Sequence, residues 1–314
     1  MTSPLALPPL HIVTPLLQSN ALSRPGQAVW LKMEALQPAG SFKNRGVGHA
    51  CSVYAARGAR RFISSSGGNA GIACAWAGRK LGVAVTVVVP ETASARALEL
   101  IRAEQAEVIV HGASFQEANE YAQSLMTAQD AFIHPFDDPL LWEGHASMID
   151  EVLAAGMTPD AVVLSVGGGG LLCGVIEGLQ GHGLADVPVF AVETAGAASL
   201  AAAIAAGELV ALPGITSIAT SLGARKVAQA AFDATRAHPV HSTVVTDRAA
   251  VSACLRFIDD QRVVVEPACG AALALAYDGA QLAGFQNVLV IVCGGVTATV
   301  AQLHNWAAQL PADD

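Results

Sequence analysis

The sequence predicts an α/β protein with parallel or mostly parallel sheets, and three observations carry that prediction. Short β-branched runs alternate with alanine-rich helical stretches along nearly all of the 314 residues. Alternation of this kind builds right-handed crossovers onto a parallel sheet. Two of the runs, Val83-Ala-Val-Thr-Val-Val-Val and Val288-Leu-Val-Ile-Val, are apolar but for Thr86, as expected of strands covered on both faces. Glycine clusters follow several strands directly, at the sheet end where open α/β folds bind ligands.

Taken in order, strands are expected at 28–33, 61–64, 83–89, 106–110, 161–166, 188–193, 240–245 and 288–292. Helical patterns fall near 43–57, 69–81, 93–103, 114–128, 143–155, 170–180, 197–206, 247–260, 267–277 and 297–309. The stretch 134–142, His-Pro-Phe-Asp-Asp-Pro-Leu-Leu-Trp, carries two prolines and two aspartates and reads as a passage between two lobes.

Composition narrows the function. With 53% hydrophobic and 14% charged residues the chain has ample apolar surface to bury, which excludes intrinsic disorder. A net charge of −9 argues against nucleic acid or an anionic membrane as partner. Two uncharged stretches, 161–176 and 279–312, are interrupted by glycines or by Gln281, Gln286 and Asn287, so neither reads as a spanning helix. Six cysteines without a Cys-x-x-Cys pair, behind an N-terminus lacking a basic leader, predict reduced thiols in a cytoplasmic protein. Lysine is scarce: only Lys32, Lys43, Lys80 and Lys226 can supply an amine.

Four segments can carry chemistry. Gly167-Gly168-Gly169-Gly170-Leu171 joins a strand to a helix, where backbone N–H groups and the helix dipole favour an anion. No Lys or Arg lies nearby in sequence, so backbone alone would hold a phosphate. The dinucleotide fingerprint fails here, because Cys173 stands where the third glycine belongs. Ser64-Ser65-Ser66-Gly67-Gly68-Asn69-Ala70-Gly71 offers hydroxyls, an amide and free N–H groups suited to a carboxylate, although an ordinary N-cap would look the same. In Ser41-Phe42-Lys43-Asn44-Arg45-Gly46, Lys43 falls in the first turn of a helix. The dipole and the adjacent Arg45 should depress its pKa and leave a nucleophilic amine. Val292-Cys293-Gly294-Gly295 places a thiol at a strand end, which by itself is equally a buried structural cysteine.

Together these segments resemble the fold-type II pyridoxal-phosphate enzymes, and within them the L-serine/L-threonine dehydratases of the serine dehydratase type. The likeness runs from Thr14-Pro15-Leu16 to Cys293-Gly294-Gly295 and includes Asp137-Asp138-Pro139, Trp142-Glu143-Gly144-His145, Val192-Glu193-Thr194, Thr216 to Gly223 and Glu266-Pro267-Ala268-Cys269-Gly270. It implies a two-lobed architecture like that of the tryptophan synthase β subunit. Residues 39–135 would form the small domain, and 1–38 with 136–314 the large pyridoxal-phosphate-binding domain. It implies pyridoxal 5'-phosphate as cofactor, covalently attached to Lys43, with Phe42 against the ring and Asn69 bonding its 3-hydroxyl. Gly167, Gly168, Gly169, Gly170 and Leu171 would hold the phosphate, and Cys293 would face the ring nitrogen. Ser66, Gly67, Asn69 and Ala70 would receive the amino-acid substrate. A monovalent cation, K+ by expectation, would be held by the Glu193 carboxylate, the Ser199 hydroxyl and the carbonyls of Gly167, Ala197, Leu222 and Ala224.

The activity implied is β-elimination and deamination of L-serine or L-threonine to pyruvate or 2-oxobutanoate and ammonia, in a cytoplasmic homodimer. Threonine synthase, cysteine synthase or racemase chemistry on the same scaffold is the nearest alternative, and a non-catalytic pyridoxal-phosphate binder is another. Gly67 stands where the serine racemases place the serine that serves as second base, which counts against racemisation. The same glycine replaces an alanine common in the dehydratases and should widen the pocket. Val296-Thr297-Ala298 replaces the usual Ser-Asn pair after Cys293-Gly294-Gly295. Only 19 residues follow Gly295, so hyperbolic kinetics without an isoleucine effector domain are expected.

Overall fold

The structure, a computed structural model, describes residues 8–311. The ends of the expected large domain, 1–7 and 312–314, lie outside the described residues. Among the described residues ten strands form two sheets, and eleven α-helices cover them.

The larger sheet has six strands in the order β1 (Leu16–Gln18), β2 (Ala28–Lys32), β10 (Asn287–Ile291), β7 (Ala161–Ser165), β8 (Val189–Thr194), β9 (Val240–Val245). All neighbours are parallel except β1 and β2. Every residue of β7 and β8 is buried, as expected of central parallel strands covered on both faces. The smaller sheet is wholly parallel, in the order β5 (Glu107–Val110), β4 (Ala84–Val89), β3 (Arg61–Ser64), β6 (Asp130–Phe132). Its strands come from one continuous stretch of chain, whereas the larger sheet joins the beginning of the chain to its second half.

The helices that matter for the site start at the C-terminal ends of these strands or pack between the sheets. They are α1 (Lys43–Ala56), α2 (Asn69–Leu81), α5 (Pro139–Ala154) and α6 (Gly170–Gly181). Asp138 caps α5, accepting the Leu140 N–H at 2.9 Å, with Pro139 in the first turn, a sequence signal for a helix start. That start is earlier than the expected 143. Helix α5 is wedged between α1 and α6 through glycines. A Cβ on Gly144 would come within 2.7 Å of the Arg45 carbonyl oxygen, and one on Gly174 within 2.4 Å of the His145 Cβ. The remaining helices are α3 (Ala95–Ala103), α4 (Phe115–Ser124), α7 (Ser199–Ala206), α8 (Gln229–Ala237), α9 (Asp247–Gln261), α10 (Pro267–Asp278) and α11 (Val300–Gln309). Among the described residues no helix is long and apolar enough to cross a membrane.

Candidate active site

The sites expected from sequence converge where strands of both sheets end. The Phe42 N–H donates to the Cys293 carbonyl at 3.0 Å, and Ser41 forms a bridge with Gly294. These contacts fix the first turn of α1, with Lys43 at its start, against the chain leaving β10. The Lys43 Nζ donates to the Pro135 carbonyl at 2.5 Å and lies 4.9 Å from the Phe42 ring centroid. Phe42 packs in turn on the imidazole of His145, with ring centroids 4.9 Å apart.

Burial lowers the Lys43 pKa to about 8, opposed by the neighbouring Cys293. The direction matches the sequence expectation, but the cause differs, because Arg45 is turned away into a buried ion cluster. Its guanidinium donates to both oxygens of Glu34 at 2.8 Å and to both of Glu151 at 2.7 and 2.6 Å. Of the other lysines, Lys32 bonds Glu151 within that cluster, whereas Lys80 and Lys226 are exposed. Of the two lysines that are not exposed, Lys43 thus lacks the carboxylate partner that Lys32 has.

Asn69 opens α2 and is held at both ends of its amide. Its Nδ2 donates to Glu266 at 2.7 Å, and its Oδ1 accepts the Val296 N–H at 3.4 Å. Glu266 also accepts from the Thr297 hydroxyl at 2.7 Å. Burial raises its pKa, opposed by the bonds from Thr297, Ser221 and Asn69. Sequence reasoning quoted Glu266 inside a motif without giving it a role. An acid ahead of Pro267 in an otherwise apolar segment was the available signal. Ser66 and Gly67 form the turn from β3 into α2, and Ala70 is buried in the helix's first turn. A Cβ on Gly67 would approach Ala93 at 3.2 Å and Val89 at 3.3 Å, whereas one on Gly68 meets nothing within 4 Å. The open space expected at Gly67 thus lies at its neighbour.

Gly167 to Gly169 connect β7 to α6. The first N–H to bond back into α6 is that of Cys173, to the Gly169 carbonyl at 3.0 Å, so the amides before it in the first turn have no partner within the helix. Gly169 takes φ +93°, and a Cβ there would lie 2.3 Å from that of Ala231. A Cβ on Gly168 would fall 2.1 Å from the Phe136 ring. Glycine is required here because the loop lies flat against Phe136 and α8, a more specific reason than room for a phosphate. Phe136 follows Pro135, so the 135–136 segment touches both Lys43 and the glycine loop.

The Cys293 thiol is buried, and its hydrogen bond with Cys269 and its burial raise its pKa well above the ordinary thiol value. It is therefore neutral. A neutral thiol, unlike a carboxylate, does not hold a pyridine nitrogen protonated. All six cysteines are free and buried.

The residues expected to hold a cation lie on the far side of the glycine loop. Ser165 pairs with Val192, so Gly167 and Glu193 leave adjacent strands. Gly167 abuts Leu222, whose carbonyl accepts the Ala224 N–H at 2.8 Å. Glu193 accepts the Leu200 and Ala201 N–H groups, each at 2.8 Å, at the start of α7. Burial still pushes its pKa up to about 7. The fully buried Ser199 hydroxyl has no hydrogen-bond partner. An orphan hydroxyl beside an under-compensated acid is a donor set suited to a hard monovalent cation.

An uncompensated amine, unpaired helix amides for a phosphate and a neutral thiol in place of an acid suit a pyridoxal cofactor, and residues 7–294 match its family: the chain belongs to the pyridoxal-phosphate dependent enzymes. Within that family it is 48% identical to the Homo sapiens protein named L-serine dehydratase/L-threonine deaminase, over 96% of each chain. It is 50% identical to serine dehydratase-like of Mus musculus, over 96% of this chain and 95% of that one. Among solved structures it resembles a fungal L-serine ammonia-lyase from Rhizomucor miehei, with a TM-score of 0.90 and 35% identity over 96% and 99% of the two chains.

Proposed function

We propose that the protein is a pyridoxal-phosphate-dependent ammonia-lyase that converts L-serine or L-threonine to pyruvate or 2-oxobutanoate and ammonia. The observation that carries this reading is the Lys43 amine, which meets the Pro135 carbonyl and no carboxylate, and whose pKa is lowered to about 8. The full-length relationship to a serine dehydratase/threonine deaminase fixes the substrate class.

When bound, the cofactor supplies an electrophilic carbon for the substrate amine and a ring that takes up charge from Cα. Lys43 would hold it covalently, with Phe42 against the ring, Asn69 at the 3-hydroxyl and Cys293 at the nitrogen. The unpaired amides of Gly168 to Leu171 would take the phosphate. Ser66, Gly67, Asn69 and Ala70 at the start of α2 would bind the substrate carboxylate and so orient the Cα–H bond. Lys43, once free, would then remove the α-proton, for which a neutral amine is required. The Cα–H electron pair would then form a Cα=Cβ bond as the Cβ–O bond breaks, and the hydroxyl would leave as water with the equivalent of the α-proton. Hydrolysis of the resulting 2-aminoalkenoate, as its imine, would return ammonia and the 2-oxo acid. Because Cys293 is neutral, the ring nitrogen beside it would not be held protonated and the ring would take up less of the charge from Cα, which would favour prompt loss of the hydroxyl.

We also infer two domains, 39–135 and the remainder, supported by the origin of the two sheets. A K+ ion would sit among Glu193, Ser199 and the carbonyls of Gly167, Ala197, Leu222 and Ala224, supported by the orphan Ser199 hydroxyl. We propose a cytoplasmic homodimer; the exposed side chains of Leu17 on edge strand β1 and of Ile12 and Val13 shortly before it provide apolar surface for contact. Light scattering of the purified protein tests the dimer, and a monomeric mass would exclude it.

The activity is tested by assaying 2-oxo acid and ammonia from L-serine, L-threonine, D-serine, O-acetylserine and O-phosphohomoserine. The first two should turn over. Exclusive turnover of an O-substituted substrate would instead make the protein a synthase.

A further inference from the structure

Arg96 is exposed on α3, beside the smaller sheet, yet its Nε donates at 2.8 Å to the carbonyl of Val296, 200 residues away, on the chain that leaves β10 of the larger sheet. Two glycines with φ of +91° and +116°, Gly294 and Gly295, precede Val296. Glycine is permissive at such angles, so these residues do little to fix the chain that follows. Its position is set by outside tethers. The Gly295 N–H donates to the Gly40 carbonyl at 2.9 Å, Thr297 is bonded to Glu266, and Arg96 holds the Val296 carbonyl.

Residues 296 and 297 in turn help to hold both ends of the Asn69 amide, whose Nδ2 also donates to the Ser221 hydroxyl at 3.4 Å. The Val296 N–H reaches Asn69 Oδ1, and Thr297 orients the Glu266 carboxylate that accepts from Asn69 Nδ2. The Val296 contact, at 3.4 Å, is the longer of the two. A small shift of Val296 would break it first.

We propose that Arg96 is a positioning residue that fixes Asn69 through Val296, and so sets how firmly the cofactor ring is held. The proposal rests on the reading that Asn69 meets the cofactor. Arg96 is not among the residues assigned to the cofactor or the substrate; it would act by limiting the freedom of the 294–297 segment. A guanidinium donating to a carbonyl is a charge-assisted bond, weakened here by solvent exposure.

The test is titration of the apo-protein with pyridoxal phosphate, together with the visible spectrum of the loaded form, for Arg96→Ala, Arg96→Lys, Asn69→Ala and the Arg96→Ala/Asn69→Ala double variant. Arg96→Ala should raise the Kd about threefold, the scale of one solvent-exposed hydrogen bond, and move the absorption maximum in the same direction as Asn69→Ala. The apo-protein Tm should stay unchanged, since Arg96 is exposed. Arg96→Lys, which keeps a cationic donor, should restore most of the affinity. In the double variant, loss of Arg96 should add nothing to loss of Asn69. Wild-type affinity and spectrum in Arg96→Ala, with Asn69→Ala impaired, would overturn the Arg96 proposal alone, as would additive losses in the double variant. Wild-type affinity in Asn69→Ala would overturn the assignment of Asn69 itself, and the Arg96 proposal with it.

Discussion

Lys43 is useful because little around it stabilises its charge. Its pKa of about 8, against an ordinary 10.5, means that the native state binds fewer protons than the unfolded chain between those values. Its contribution to stability therefore rises with pH across that window. Below pH 8 the amine is increasingly protonated and cannot attack a carbonyl. Apo-protein should accordingly capture pyridoxal phosphate faster as pH passes about 8 and then level off, by stopped-flow absorbance. A rate flat from pH 7 to 9 would show that the amine titrates elsewhere. Lys43→Ala should abolish covalent attachment and turnover while the protein remains folded. Gly168 makes a different kind of demand. Because a side chain there would strike the Phe136 ring, Gly168→Val should displace the loop, cost about 1–3 kcal/mol of stability and weaken cofactor binding together. Denaturant melts alongside cofactor titration separate these effects. Weakened binding at unchanged stability would point to direct obstruction of the phosphate instead.

At the scale of elements, β8 and α7 meet at Glu193. Burial holds its pKa near 7 although two α7 amides donate to it. Since the folded value exceeds the ordinary 4.5, the native state keeps its proton longer than the unfolded chain. Stability from this group is then fully present below pH 4.5 and lost as pH rises to about 7, by about 3 kcal/mol. A cation beside the carboxylate would reverse that loss. At pH 8, K+ should raise Tm more than Li+ at equal ionic strength, the difference should vanish near pH 4.5, and Glu193→Gln should erase it. Equal Tm values in both salts at pH 8 would leave Glu193 as a purely structural acid. The long, doubly buried strands and most helices were legible in the sequence because their patterns are local. Strands β1 and β6, three residues each, and helix α8 were not. Pairing with β2 or β3 makes those strands, and three residues carry no periodicity. In the site, glycine clusters and the Ser-x-Lys segment were readable, but the supports were not. The Pro135 carbonyl that meets Lys43, the Phe136 ring beneath Gly168 and the Val296 N–H at Asn69 all act across long stretches of chain.

Over the whole molecule, the buried cluster of Glu34, Arg45, Glu151 and Lys32 ties the chain after β2, the first turns of α1 and the C-terminal half of α5 into one unit. Arg45 and Glu34 are fully buried, and the Glu151 side chain is 12% exposed. Arg45→Met would leave Glu34 without its basic partner and Glu151 with Lys32 and His11 alone. Its expected cost is about 3 kcal/mol or more, read from the denaturation midpoint, with cofactor affinity falling because Lys43 rides on the same helix turn. A loss below about 1 kcal/mol would mean that the cluster relaxes without Arg45. The strand order also has a consequence for biosynthesis. Strand β2 is made early, but it lies in the sheet beside β10, near the other end of the chain. During translation the four-stranded sheet can close once residue 132 has emerged. Strand β2, with only the three-residue β1 for company, must wait for residues 287–291. The nascent protein thus carries an apolar, half-paired strand through most of its synthesis, and the larger sheet is completed at the slow pace of distant pairings.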